Sequence, residues 1–207
     1  MRTASLKHWA LFSAPLLAML AVVLLACGSE PDVAVFFKDH RAAHPALRTA
    51  MKWLTDWSNP VFYVGYGISL LMAWKTNNMK RVRFILILLA VQAVVAGLAV
   101  HFLKQTIGRP RPGQGEWFDP ITTKGAQHSL PSGHTTEITG WTLPLVLRAK
   151  RFLLTGALAV FVAAVGFSRI YLGWHHPSDI FFGWLLGSFG GFAAIIIADS
   201  TLFTTRR

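Results

Sequence analysis

Five stretches of this chain contain no Lys, Arg, Asp or Glu: 9–28, 57–74, 84–103, 152–168 and 180–198, each 17 to 20 residues long. A helix rises about 1.5 Å per residue and the hydrocarbon core of a bilayer is about 30 Å thick, so runs of this length suit membrane-crossing helices. A soluble core would instead show apolar residues scattered at helical or strand spacing. Residues of hydrophobic type make up 53% of the chain and charged ones only 14%, against about a quarter charged in a soluble domain. Disorder, collagen and disulfide scaffolds are thereby excluded. The single cysteine, Cys27, leaves no internal disulfide and no cysteine-based metal site.

A sixth run, 135–147, is shorter and carries Glu137. Six runs predict an all-α polytopic membrane protein, a six-transmembrane-helix bundle formed by one integral-membrane domain, 1–207, with its motif-bearing core at about 100–185. Trp9, Trp57, Trp74, Trp141, Trp174 and Trp184 fall at or near the proposed ends, where amphipathic rings favour the interface. Between the first two spans, segment 46–57 puts Leu47, Met51, Trp53 and Leu54 on one side and Arg48, Lys52, Thr55 and Asp56 around it. It is predicted to be an amphipathic helix lying in the interface, with a plain connecting helix as the alternative.

A net charge of +11 would suggest nucleic acid in a soluble domain, but no basic stretch here is interleaved with aromatics as a binding groove requires. In a membrane protein, basic residues belong in loops beside anionic headgroups. Six crossings assign Arg2, Lys7, Lys75, Lys80, Arg81, Arg83, Arg148, Lys150, Arg151, Arg206 and Arg207 to one side, 11 of the 20 basic residues. Both termini are therefore expected in the cytoplasm. Leu-Leu-Ala-Cys at 24–27 imitates a lipoprotein signal, although the preceding stretch is long enough to span.

Polar residues flanking membrane spans are costly and point to function. Three clusters stand out: Lys104 with Arg111-Pro112; Pro131-Ser132-Gly133-His134; and Ser168-Arg169 with His175 and Asp179. Lys104, Arg111 and Arg169 are cations suited to an anion, and a guanidinium fork matches phosphate oxygens. Ser132 and Gly133 precede a helix, whose N–H groups and positive end also hold phosphate. His175 and Asp179 are four apart, so the carboxylate can orient the imidazole as a nucleophile, while His134 supplies a second imidazole for proton transfer. His176 stands three from Asp179, and periodicity leaves both histidines open. A metal held by His128, His134, His175 or Asp179 would be repelled by the neighbouring cations, so a metal-free phosphoryl-transfer site is expected, with no cofactor. If the sixth run crosses, all three clusters share one face of the membrane; otherwise they are dispersed.

Lys104-x6-Arg111-Pro112, Pro131-Ser132-Gly133-His134 and Ser168-Arg169-x5-His175-x3-Asp179 resemble, in residue type and spacing, the three signature motifs of the type 2 phosphatidic acid phosphatase superfamily, the integral-membrane lipid phosphate phosphatases. The resemblance implies that His175 attacks phosphorus, Asp179 orients it and His134 protonates the leaving oxygen. It also implies that Lys104, Arg111, Ser132, Gly133 and Arg169 bind the phosphate, and it selects His175 over His176. Substrates implied are phosphatidic acid, phosphatidylglycerol phosphate, undecaprenyl pyrophosphate or lipid A. Soluble relatives, the vanadium haloperoxidases and acid phosphatases, lack long spans. A bacterial inner membrane with the site facing the periplasm or outside is expected, and the partners are a membrane lipid phosphate and the bilayer. A phosphotransferase using the same phosphohistidine and a six-helix transporter are the alternatives.

Overall fold

Apolar runs of this kind leave the backbone one local solution, since each N–H and C=O must bond within its own segment where water is absent. In a computed structural model, which describes residues 3–200, every long regular element is a helix. In order these are α1 (Thr3–Cys27), α2 (Glu30–Ala43), α3 (Pro45–Lys75), α4 (Met79–Gln92), α5 (Val100–Ile107), α6 (Gly133–Ala149), α7 (Phe152–Tyr171) and α8 (Pro177–Asp199). A π-helical stretch, Ala93–Ala99, joins α4 to α5 without a break. Arg2, Arg206 and Arg207, part of the charge bias above, lie outside the described residues.

Among the described residues, four helices are long and apolar enough to cross a membrane by length and composition: Ser5–Cys27, Met79–Ile107, Phe152–Tyr171 and Pro177–Asp199. The runs 57–74 and 135–147 also fold as helix, but outside that set. α6 has only 17 residues and carries Glu137, and the apolar half of α3 is diluted by Ser58, Asn59, Pro60 and two glycines. The amphipathic segment 46–57 is not a separate element. It is the first part of α3, which runs for 31 residues, because nothing between Trp57 and Pro60 breaks the hydrogen-bond ladder and the proline ring is accommodated within it.

The distribution of polarity is that of a lipid-bathed bundle. Leu25, Leu98 and Leu153 are 86%, 71% and 88% exposed, while Thr135, Thr136, Thr139 and Thr142 on α6 are wholly buried. Several polar groups inside are paired: His8 Nδ1 lies 2.8 Å from Thr155 Oγ1, and Trp184 Nε1 donates to Ser13 Oγ at 3.1 Å. In hydrocarbon an unpaired polar group costs several kcal/mol, so small hydroxyl residues are turned inward.

α6 and α8 form the tightest pair. Gly183, Gly187 and Gly191 make a stripe at four-residue spacing along α8, and a Cβ on Gly183 would stand 2.7 Å from the carbonyl oxygen of Ser132. One on Gly187 would meet Thr139 Cβ at 2.7 Å, and one on Gly191 would meet Leu143 at 3.0 Å. Absence of side chains on this stripe lets the two backbones approach, as in small-xxx-small packing of membrane helices. Phe12, Leu16, Leu20 and Val23 of α1 complete the core against α7.

Candidate active site

All three polar clusters meet at one end of the bundle. Lys104 stands in the last turn of α5, Ser132 caps α6, Arg169 closes α7, and His175 and Asp179 straddle the start of α8. α6 therefore leads away from the site and α7 returns to it. At the other end Arg148 bonds Asp199 at 2.9 Å, and Arg83 donates to the carbonyl of Ala198 at 2.7 Å.

The α5–α6 connection is shaped by Gly108, whose backbone is left-handed (φ +60) and packs against the main chain of Asp119 with no space for a side chain. Asp119 N–H donates to Gly108 O at 2.8 Å, Arg111 N–H to Ala126 O at 2.8 Å, and Ser129 N–H to Arg109 O at 3.0 Å. The loop is thus folded back on itself, bringing Arg109, Arg111 and Ser129 beside α8. Ser132 is the N-cap of α6, its hydroxyl accepting from Thr135 N–H at 3.4 Å. Lys104 Nζ lies 3.8 Å from where a Cβ on Gly133 would stand. The positive end of α6 and a lysine thus face the same space.

Arg169 is nearly buried. Its Nη1 donates to Thr55 Oγ1 on α3 at 3.1 Å, and its guanidinium lies 4.2 Å from the centre of the Trp174 ring. These contacts hold the fork in place, yet its Nε has no protein partner, and neither does Nε of Arg111. Lys104, Arg111 and Arg169 lie within electrostatic reach of one another, and His134 within reach of Arg169, His175 and Lys104. Burial pulls the Arg111 guanidinium below its usual range, with the charge of Asp179 opposing that.

His175 and Asp179 are not related by one helical face. α8 starts at Pro177, so His175 precedes it, and Asp179 as the third helical residue turns back to the chain before the helix. Asp179 Oδ2 accepts from His176 N–H at 2.8 Å and from Ser129 Oγ at 2.5 Å, and His175 Nδ1 lies 3.5 Å from the same oxygen. Its other oxygen, Oδ1, accepts from Arg109 Nη1 at 2.6 Å. With His175 Nδ1 facing Asp179, Nε2 is the ring nitrogen not turned to the carboxylate. Burial pushes the His175 imidazole down to about 4, with Asp179 acting in the opposite sense, so the ring is neutral at pH 7. His176 Nε2 lies 3.3 Å from the carbonyl of Pro110.

Every residue singled out from the three clusters is therefore gathered at this end. Sequence reasoning passed over Arg109, Glu30, Ser129 and Thr55. Arg109 stands two residues before Arg111 in Gly108-Arg109-Pro110-Arg111-Pro112, where Pro110 stiffens the chain between the two arginines. Glu30 belongs to Ser29-Glu30-Pro31-Asp32, a helix-start signature with a capping box that the structure uses to begin α2. A cavity of about 510 Å³ adjoins the site, lined by Lys104, Gly133, His134, Glu137 and the π-helical Ala93, Ala96 and Gly97. Asn59 Nδ2 donates to Glu137 Oε2 at 2.7 Å beside it.

An all-helical chain with apolar helices of membrane length, and with cations and imidazoles gathered where those helices end, defines an integral-membrane enzyme handling phosphate. The family model described as PAP2 superfamily matches residues 83–201, more than half of the chain, and the chain belongs to that superfamily. It is similar to undecaprenyl-diphosphatase BcrC of Bacillus subtilis, 27% identical over 149 residues covering 70% of this chain and 73% of the relative. It is also similar to an undecaprenyl-diphosphatase of Sulfolobus acidocaldarius, 30% identical over 125 residues, 58% of this chain and 59% of that one. A lipid A 1-phosphatase of Rhizobium etli is 32% identical over 110 residues, 51% of this chain and 45% of the relative. The chain spans less than two thirds of the latter two. Family and relatives together make the chain a hydrolase of phosphoric ester or pyrophosphate bonds.

Proposed function

We propose that this chain is a six-span lipid phosphate phosphatase acting through a phosphohistidine at His175, without a resident metal or cofactor. The observation that carries this is the seating of His175: its Nδ1 is 3.5 Å from a carboxylate fixed by three further donors, and the cations surround it. Nε2 attacks phosphorus in line with the lipid oxygen. The P–O bond breaks, and His134 gives its proton to the departing oxygen. Water then attacks the phosphohistidine, His134 takes the water proton, and the P–N electron pair returns to His175 as inorganic phosphate leaves. Lys104, Arg111, Arg169, the hydroxyl of Ser132 and the N–H of Gly133 stabilise charge on the three equatorial oxygens, the task a metal ion performs elsewhere.

Support for six spans comes from the path of the chain, in which α6 leads away from the site and α7 returns. A phosphate at this end would keep its lipid tail beside the bundle, with the cavity at the π-helical stretch next to the leaving oxygen. Two of the relatives are named undecaprenyl-diphosphatases, so a polyprenyl diphosphate is the first substrate to test. Lipid A and phosphatidic acid follow. The site faces the periplasm or outside, with both termini cytoplasmic and the whole chain acting as one domain.

The test is release of inorganic phosphate by purified protein in detergent, with chelator, across these lipids. Turnover on at least one of them, abolished by His175→Ala, is expected. Transfer of the phosphoryl group to a second lipid with no free phosphate would make the protein a phosphotransferase. Full activity of His175→Ala would overturn the mechanism.

A further inference from the structure

Asp179 is wholly buried, and the cationic side chain nearest its carboxylate is Arg109, at 2.6 Å. Arg109 Nη1 bonds both Asp179 Oδ1 and Ser178 Oγ at 2.6 Å, while its Nη2 bonds Glu30 Oε2 at 2.6 Å. The second oxygen of Glu30 accepts from Ser178 N–H at 2.7 Å. A closed ring results: the Glu30 carboxylate, the Arg109 guanidinium, the Asp179 carboxylate and the main chain between Ser178 and Asp179. Glu30 lies outside the residues matched by the family, at the start of α2.

We infer that Glu30 is a positioning residue for catalysis, acting through Arg109 on the orientation and charge that Asp179 presents to His175. This rests on His175 being the nucleophile.

An arginine paired with Asp179 alone would draw the carboxylate towards Oδ1 and weaken its hold on the imidazole. Sharing the planar fork between two carboxylates divides that pull, and the fork geometry fixes both. Glu30 adds a second restraint by holding the backbone N–H of Ser178, next in chain to Asp179. The side chains of Arg109 and Glu30 are only 15% and 23% exposed, so solvent screens this pair less than a surface ion pair. α2 is tied at both ends: Glu30 at its start holds the Ser178 N–H, after the loop that carries His175, and Arg41 near its end bonds the carbonyl of Tyr171, before that loop. Glu30 is thus delivered to Arg109 by a helix braced on both sides of the catalytic loop.

A purely structural ion pair would change how much protein folds. A positioning role changes what the folded protein does. The experiment measures kcat, KM and the pH profile of phosphate release for full-length Glu30→Gln, Glu30→Asp, Arg109→Gln and the double variant Glu30→Gln/Arg109→Gln, with thermal melting of the same samples. Glu30→Gln is expected to lower kcat about tenfold with KM within about twofold of the parent, the size of coupling seen between contacting charged residues. It should also move the acid limb of kcat/KM to lower pH, because an Arg109 no longer shared with Glu30 offsets more of the Asp179 charge that favours the imidazolium form of His175. Glu30→Asp should restore most of kcat, and Glu30→Gln should add no further loss where Arg109 is already Gln. Should Glu30→Gln fail to fold, Arg109→Lys, which keeps the charge but loses the fork between two carboxylates, should give the same kcat defect. Parental kcat and pH profile in Glu30→Gln, a loss that merely follows the melting temperature, or additivity in the double variant would each overturn the inference. An active His175→Ala would remove the nucleophile assignment and this inference with it, whereas an inactive His175→Ala beside a fully active Glu30→Gln removes this inference alone.

Discussion

The backbone N–H of Ser132 donates to the backbone carbonyl of Asp179 over 2.9 Å, so the second and third polar clusters are joined by main chain alone. Two helix N-termini, those of α6 and α8, are thereby set side by side with their positive ends towards one anion site. Substitution of either side chain leaves this link intact, so active-site variants of this chain should fold and can be read as chemistry.

On that basis His175→Ala should reduce phosphate release to background, while His176→Ala should retain most of it. His134→Ala should slow turnover by about 10²- to 10⁴-fold, most with poor leaving groups, since leaving-oxygen protonation is the step it assists. Arg169→Lys should lose about a hundredfold or more, because an ammonium cannot reproduce a fork held between Thr55 and the Trp174 ring. Steady-state kinetics on leaving groups of graded pKa check all four.

The pH dependence follows from His175. Burial holds its imidazole at about 4, and only the neutral ring can attack phosphorus. Its basic form is therefore in place throughout the neutral range and is lost as pH falls through about 4. The acid limb of kcat/KM that His175 contributes should lie well below the ordinary histidine value of about 6.5. A limb near 6.5 that persists in both His134→Ala and His176→Ala would contradict this.

Hydrolysis should survive EDTA and be blocked by vanadate, which adopts the five-coordinate geometry of the transition state and can accept a bond from His175 Nε2. Lys104, Arg111 and Arg169 already supply the positive charge. Activity lost in EDTA and restored by Mg²⁺ or Zn²⁺ would return His134, His175 and Asp179 to candidacy as ligands.

Sidedness is checked by cysteine labelling in a Cys27→Ser background. Probes in 75–83 and 148–151 should react from the cytoplasm, and probes in 113–127 from the other side. Arg83 and Arg148 share the end of the bundle that holds Ala198 and Asp199, so opposite sidedness of the two basic loops would break the six-span arrangement.

Gly183→Ala puts a methyl group 2.7 Å from the Ser132 carbonyl. Overpacking of this kind costs about 1–3 kcal/mol. Here it should also displace the N-cap of α6, so both melting temperature and kcat should fall. Gly156→Ala, with no atom within 4 Å, is the control and should change neither.

Much of this was legible in the residues themselves. Charge-free runs announce helices because their length alone meets the requirement of a bilayer, and the clusters at 104–111, 131–134 and 168–179 are local enough to read by spacing. In the structure those clusters meet at one end of the bundle. Spacing put His175 and Asp179 on one helical face only if the helix already included His175; α8 starts at Pro177, and the carboxylate instead folds back over its first turn to lie 3.5 Å from His175 Nδ1. The merging of 46–57 into α3 was missed because amphipathicity reports a face and not an end. Arg109 and Glu30 meet across the fold, from α2 and the α5–α6 loop, and no periodicity links positions so far apart in sequence. What could be read locally was the capping box at Ser29, which marks where Glu30 begins a helix.

α6 is short, carries a carboxyl group and four threonines, and is buried along most of its length against the glycine stripe of α8. Such a segment gains little by entering lipid alone, because its threonines and Glu137 would meet hydrocarbon until α8 arrives. During synthesis the ribosome has added α7 and α8 before the surface that shelters α6 exists. With α6 crossing as proposed above, its integration is expected to wait for the last helix, and truncation before Gly183 should leave a chain whose middle fails to stay in the membrane.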